Sequence, residues 1–464
     1  MAQEFDTIIL GAGATGLFTA RELLNKGGNS VLVLEKNSFV GGIASSFQRN
    51  DFIIDFGPHK LFSLLPGVME EFKSINGEDN LIVKKVNSLF FLGKKFQFPI
   101  KPLEMLKNIS LRTAYNGAMI PLSLAKSLVR YNLLGKKDET FEDYLVKGFG
   151  RRVYNILFEG YAKKVWAHPD ELSKDIAEIR IPLPNIGGLL KSTKKEGQAK
   201  VNAREFYYPK YGMKQFMEKL AESIEIKGGE ILLNQKVVLI EKKGGMFSIR
   251  TDEGAYICKH LVSTIPLESF VDVYSRSPEE IKEVSAGLRY NDLSLVYLFF
   301  DKPQVITDNW IFFPEIEYSF NRLSEQKSFS PYTVPAEKTV LCAEITNPEI
   351  NKLPKEQIVS RAIDDLGKAG IVADAKEISE KLFLRFNKVY PVYDKHYKKN
   401  VHRLIHFLDS EGIVSLGRNG LFNYNNIDHC LDMAWTYSTW RLAKGTMEDW
   451  QRAREKFAEY RIVD

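Results

Sequence analysis

Six residues near the start of the chain, Gly11-Ala12-Gly13-Ala14-Thr15-Gly16, restrict its fold more than any others. The apolar run Thr7–Leu10 precedes them and predicts a short buried parallel strand. A helical pattern through Leu17, Ala20, Leu23 and Leu24 follows and ends near Gly27-Gly28. A second apolar run, Val31–Leu34, stops at Glu35. In such a strand–turn–helix–strand unit each glycine has a separate task. Gly11 permits the tight turn, Gly13 lets the backbone approach a pyrophosphate, and Gly16 lets the helix pack on the strand. The N–H groups of Ala14, Thr15 and Gly16 at the helix N-terminus are suited to bind the anion. Glu35 sits where a carboxylate accepts hydrogen bonds from a ribose. A lone GxGxxG is weak, but this one has its strand, its helix and its acid. The alternative is a glycine-rich turn in another α/β protein.

At 464 residues the chain is long enough for two or three domains. Its 44% hydrophobic and 27% charged residues are those of a globular protein. A net charge of +5 makes no case for a nucleic-acid partner. Cys258, Cys342 and Cys430 lie far apart, which argues against a disulfide framework, a zinc cluster and a dithiol reductase. The start, MAQEFDTIIL, enters the first strand without a signal-peptide pattern, and no uncharged apolar run reaches membrane-span length. The expectation is a cytoplasmic protein.

Further along, Asp51–His59 reads as a strand ending in the turn Gly57-Pro58-His59. Asn87–Ile100 reads as two short strands meeting at Gly93-Lys94. A mainly helical region runs from Pro102 to about Lys174. Within it, Leu103–Leu134 alternates apolar residues with Lys107, Arg112, Lys126 and Arg130. That pattern suits a membrane surface, but it is more often an ordinary helical domain with a solvated face, the reading favoured here. Ser192–Arg204 is polar and lysine-rich, as exposed loops are. Lys214–Ser223 is helical, and Ile231–Glu241 is strand-like. Strand-like runs at Leu293–Phe300, Asn309–Pro314, Val340–Ile345 and Lys381–Phe386 predict a second sheet. A strand then runs into Gly417-Arg418, and Asn426 or Asp428 can cap the helix that begins near Ile427. There is no second GxGxxG, no metal-ligand cluster and no GxSxG.

After Glu35 and Lys36 comes a second glycine pair, Gly41-Gly42-Ile43-Ala44-Ser45. This arrangement resembles the extended FAD signature of the amine oxidase, protoporphyrinogen oxidase and UDP-galactopyranose mutase group of flavoproteins. The segment KVWAHPDELS, with Arg180 after it, resembles most closely the eukaryotic-type mutases. The resemblance spans Gly11 to Asn426. It implies an α/β fold with a discontinuous Rossmann-like FAD-binding domain, an inserted helical region and a mixed-sheet substrate domain. The boundaries expected are 1–90, 206–285 and 401–464 for the FAD domain, 91–205 for the helical region and 286–400 for the substrate sheet.

It also implies residue roles. Glu35 and Lys36 would lie at the adenosine ribose, and the backbone near Val238 at the adenine. Gly41, Gly42 and Ser45 would run beside the pyrophosphate and ribityl chain. Gly57, Pro58 and His59 would pass the flavin ring, with Phe62 lining the same pocket, although His59 also reads as a structural histidine. Gly417, Arg418, Asn426 and Ile427 would hold the flavin from the far end of the chain, with the helix dipole at its pyrimidine side. No attachment residue is evident, so the FAD is expected to be non-covalent. Arg180 and Arg322 would clamp a substrate pyrophosphate, while Tyr390, Tyr424 and Asn426 match substrate-site positions.

The chain departs from the mutase pattern at three places. Phe312 and Phe329 stand where pyrophosphate-binding tyrosines are expected, and Lys101 where a glutamine is expected. Each lost hydroxyl removes a hydrogen bond worth about 1–3 kcal/mol to a charged ligand. The first expectation is a mutase-like isomerase acting on a nucleotide sugar through reduced flavin, with NAD(P)H as a candidate external reductant. The second is an oxidoreductase taking a hydride from an apolar or amine substrate.

Overall fold

In the computed structural model, which describes residues 3–28, 30–97, 119–181, 183 and 204–462, the first strand β1 (Gln3–Leu10) lies centrally in a seven-stranded sheet. It is followed by helix α1 (Ala14–Asn25) and strand β2 (Val31–Leu34). β1 pairs in parallel with β2 on one side and with Ala255–Ser263 on the other. Every residue of β2 is buried, which accounts for its unbroken apolar run. Ala255–Ser263 carries two neighbours along its other edge. Met246–Thr251 pairs with its start, antiparallel, and Ile413–Ser415 with its end, in parallel.

The apolar run Ile231–Glu241 is not one strand. Glu230–Leu232 joins the outer edge of β2, whereas Val237–Lys243 lies at the opposite edge of the sheet. Asn234, at φ 56°, turns the chain between them. Apolar periodicity shows no break there because both pieces are strands.

The chain divides into two units. The first comprises Met1–Ile82, Phe206–Leu288 and His396–Ile462 and contains this sheet. The second comprises Val83–Glu205, Arg289–Lys395 and Val463–Asp464. Its own seven-stranded sheet runs, in spatial order, Ile378–Pro391, Tyr290–Phe300, Thr339–Ile345, Arg322–Glu325, Trp310–Phe312, Asn87–Phe91 and Lys94–Gln97. The last two strands form a hairpin whose turn residues are Leu92 and Gly93, both at positive φ, one position earlier than expected. That backbone suits the right-handed twist of a two-residue hairpin.

One face of this sheet is covered by the helix Lys355–Lys368. Val296, Leu298, Leu323, Leu341 and Ala343 pack there with Ile358, Ala362 and Leu366 from the helix. The opposite face carries Phe312, Arg322, Glu344, Leu295 and Leu384 in one cross-strand row.

The helical region is described from Met119 onward and includes Ile120–Leu128, Phe141–Val153, Glu159–Val165 and Lys174–Arg180. Lys101, the start of the basic amphipathic stretch and most of the polar loop before Arg204 lie outside the described residues. Among the described residues no helix is long and apolar enough to cross a membrane.

Candidate dinucleotide site and substrate-facing sheet

At the carboxyl end of β1 the chain turns at Gly11, whose φ of 99° excludes most other residues. A Cβ on Gly16 would stand 1.9 Å from the Gly11 carbonyl oxygen, so helix and turn touch only because that Cβ is missing. Gly13 differs from both: a Cβ there would meet no atom within 4 Å, and its φ of −69° suits any residue. The protein itself does not require a glycine at that position, but a ligand seated on the loop would.

The second glycine pair packs against the first loop. The Gly41 N–H donates to the Ala12 carbonyl at 2.7 Å. Gly41 and Gly42 both have positive φ, and a Cβ on Gly41 would collide with Met217. Ser45 follows, fully buried, and its hydroxyl has no hydrogen-bond partner among the described residues. The hairpin of Ser46–Arg49 and Phe52–Asp55 comes next. Asp55 is buried and accepts from Ser46 Oγ (2.6 Å), Tyr208 Oη (2.7 Å) and the Met213 N–H (3.2 Å). Burial pushes its pKa up to about 6, against those hydrogen bonds. Asp55 thereby ties the hairpin to the N-terminus of the helix Gly212–Glu225, a link with no motif in the sequence.

Glu35 is buried at the end of β2. Its carboxylate accepts from the Ala12 N–H at 2.8 Å and from the Asn37 N–H and Nδ2 at 2.9 and 2.6 Å. Those bonds take three of about four acceptor directions and leave roughly one for a ribose hydroxyl. Glu35 therefore also holds the glycine loop in shape. Lys36 is exposed. The Gln235 N–H bonds the Glu35 carbonyl and the Asn234 N–H bonds the Asn37 carbonyl, which brings the start of Val237–Lys243 to the same end of the sheet. The ladder register shifts between Val237 and Leu239, so the exposed Val238 sits at an irregularity in it.

The far end of the sequence closes the same site. A Cβ on Gly417 would lie 2.7 Å from Thr15 Oγ1, so these two positions touch. Thr264, at the carboxyl end of Ala255–Ser263, donates to the Leu10 carbonyl at 2.7 Å and crowds Gly11. Nothing in the motif had marked Thr264. Arg418 donates to the Asn425 carbonyl at 2.7 Å, which braces the loop before the helix Ile427–Leu442. The Asn426 N–H donates to His429 Nδ1 at 3.0 Å, and burial holds the His429 pKa below the usual range. Tyr424 is buried. Ser63 Oγ donates to Asp428 at 2.8 Å, linking the His59 segment to this helix start. His59 Nδ1 lies 2.9 Å from the Gly57 carbonyl, which only accepts. That nitrogen therefore carries a proton and donates it to the carbonyl. Pro58 and Phe62 are half-buried.

In the second unit, Arg322 pairs through two hydrogen bonds with Glu344 on the neighbouring strand, at 2.5 and 2.7 Å. The Glu344 side chain is only 2% exposed, so the ion pair is largely withdrawn from water. Phe312 stands directly across from Arg322 on the other side. Phe329 is buried and stacks on Trp310 at 5.9 Å between centroids. Tyr390 is half-buried and pairs in register with Asn291, whose amide donates to the Val165 and Trp166 carbonyls. Arg180 ends its helix half-buried, and Glu178 beside it is engaged by Lys174 at 3.2 Å.

The Lys-Val-Trp segment proves structural in part. Trp166 is buried against the rings of Phe141 and Tyr161. Lys164 is fully buried and donates to the Phe313 and Glu315 carbonyls at 2.7 and 3.0 Å. Burial lowers its pKa from 10.5 to about 7. A base with a depressed folded pKa stabilises the fold fully above its unfolded value, and that stability is lost as the pH falls through the folded one. Stability should therefore rise above pH about 7 through this residue. In Lys164→Met, denaturant midpoints measured across that range should lose this rise.

The profile of the flavin-containing amine oxidoreductase family matches residues 14–393. The chain belongs to that family. Among curated relatives of this flavin amine oxidoreductase, coproporphyrinogen III oxidase of Staphylococcus aureus is 21% identical over 290 residues, 58% of this chain and 62% of that protein. The 15-cis-phytoene desaturase of an Oncidium hybrid cultivar is 24% identical over 410 residues, 82% of this chain and 64% of that protein. The chain thus spans less than two thirds of the length of either. Among solved structures, reduced UDP-galactopyranose mutase matches with a TM-score of 0.81 at 19% identity, over 97% of both chains. A putative protoporphyrinogen oxidase from Exiguobacterium sp. 255-15 matches with 0.73 at 18% identity, over 96% of this chain and 99% of that one. These likenesses establish the fold of the flavin amine oxidoreductase.

The family's FAD fits the first unit on three counts. The space over Gly13 is open, the buried Ser45 hydroxyl lacks a partner among the described residues, and Glu35 keeps an acceptor direction. Among the described residues no group of three or more metal-ligating side chains occurs.

Proposed function

We propose that the chain is an FAD-dependent oxidoreductase acting on an apolar or amine substrate, received on the sheet face that carries Arg322. The observation that carries this reading is the Arg322–Glu344 pair. A diphosphate needs unspent positive charge, and here the guanidinium fork already grips a buried carboxylate. Phe312 beside it offers no hydroxyl, and Leu295 and Leu384 extend the row with apolar side chains. The names of the curated relatives, an oxidase of a porphyrinogen and desaturases of a polyene, agree with an uncharged reacting centre.

Bound FAD would supply acceptance of two electrons from a C–H bond as a hydride, and a two-electron acceptor such as oxygen would restore it. The chain's own contribution is positional. The glycine loops and Glu35 hold the dinucleotide, and the paired Arg322 and Glu344 keep the substrate face near neutral.

A second reading is the mutase-like isomerase, with a nucleotide sugar as substrate and Arg180, Arg322, Tyr390, Tyr424 and Asn426 at its site. It is favoured by the full-length fold likeness to the mutase. Anaerobic mixing of the oxidised holoprotein with porphyrinogens, linear polyenes and amines separates the two. Bleaching of the flavin absorbance by one of these substrates without added reductant is the expected result. Turnover of UDP-sugars only after dithionite reduction, with no bleaching by the other classes, would overturn it.

A further inference from the structure

The helix Tyr397–Ser410 carries two histidines that the flavin site does not use. His402 and His406 are four residues apart, so they lie one above the other on the same helix face. The helix buries Leu404, Ile405, Leu408 and Asp409, whereas both histidines are exposed. Their ring centroids are 6.4 Å apart and their planes 27° from parallel. No hydrogen bond or ion pair among the described residues engages either ring. Two adjacent exposed imidazoles on one helix face are placed to act together as a chelate.

We propose that His402 and His406 form a two-imidazole site for a late first-row divalent cation, Cu2+ most tightly and Ni2+ or Zn2+ more weakly. The affinity order follows from imidazole ligation. A metal bonding each ring nitrogen at about 2.0–2.1 Å fits between rings at this separation after small side-chain rotations. Asp409 on the next turn does not join, because Arg454 and Gln451 hold its carboxylate. Water therefore fills the remaining coordination positions. Lys399 and Arg403 flank the pair, both exposed. Their charge weakens cation binding and favours an anion, such as chloride or a carboxylate, as an additional ligand. The site is consequently open and exchangeable, unlike a closed structural one.

The test titrates the FAD-loaded protein with Cu2+ alone in a non-chelating buffer, read by calorimetry and electron paramagnetic resonance. One Cu2+ per chain is expected, with nitrogen couplings from imidazole. His402→Ala and His406→Ala should each lower the affinity at least tenfold, while flavin absorbance stays the same. His168→Ala and His396→Ala, at other exposed histidines, should leave the affinity unaltered. Copper binding that survives the double change His402→Ala with His406→Ala, or that depends on His168 or His396 instead, would overturn the proposal.

Discussion

Gly13→Val should yield a folded, colourless protein. The apo fold has room for the new side chain, because no atom lies within 4 Å of a Cβ at that position and the backbone is unstrained. The valine would occupy the space through which the loop backbone approaches the pyrophosphate. Retained flavin should fall from near one per chain to near zero, while the thermal transition of the apo form stays close to that of wild-type apoprotein. Gly16→Val is the control with the opposite character. Its Cβ would press into the Gly11 carbonyl at 1.9 Å, so the fold itself should fail. Normal flavin content in Gly13→Val would remove the cofactor from this loop. Acid precipitation of the wild-type protein should release all the colour, as for non-covalent FAD.

The second large effect is expected at Arg322. Arg322→Ala leaves the Glu344 carboxylate, 2% exposed, without its counter-ion. Breaking a buried pair from one side typically costs about 3–5 kcal/mol, because the remaining charge is stranded in a poor solvent. Glu344→Ala should cost a similar amount. Replacing both by methionine removes the stranded charge and should recover most of the loss. Denaturant unfolding of the four proteins measures this directly. The isomerase reading expects a different result: Arg322→Ala would keep its stability and instead weaken nucleoside-diphosphate binding by about 2–5 kcal/mol. That outcome would return Arg322 to a substrate-binding role.

The strand–loop–helix–strand unit from Thr7 to Glu35 was legible in the sequence because all its signals are local. Apolar runs, glycine spacing and a terminal acid repeat within one βαβ unit, and neighbours in sequence are neighbours in space there. Other features depend on register and chain return, which no local pattern records. The contact of Gly417 with Thr15 joins positions at opposite ends of the sequence. The split of Ile231–Glu241 places two similar strands at opposite sheet edges, although their side chains have one periodicity. Arg322 was visible as a cation, but its pairing depended on the antiparallel register that sets Glu344 opposite it. A shift of one residue along that strand would have turned the acid to the other face. Sequence by itself therefore determined the strand–turn–helix–strand unit and its glycine turn, through local backbone geometry. Only the tertiary structure decided which charges remain available to a substrate, because strand pairing and burial set the partner and the dielectric of each one.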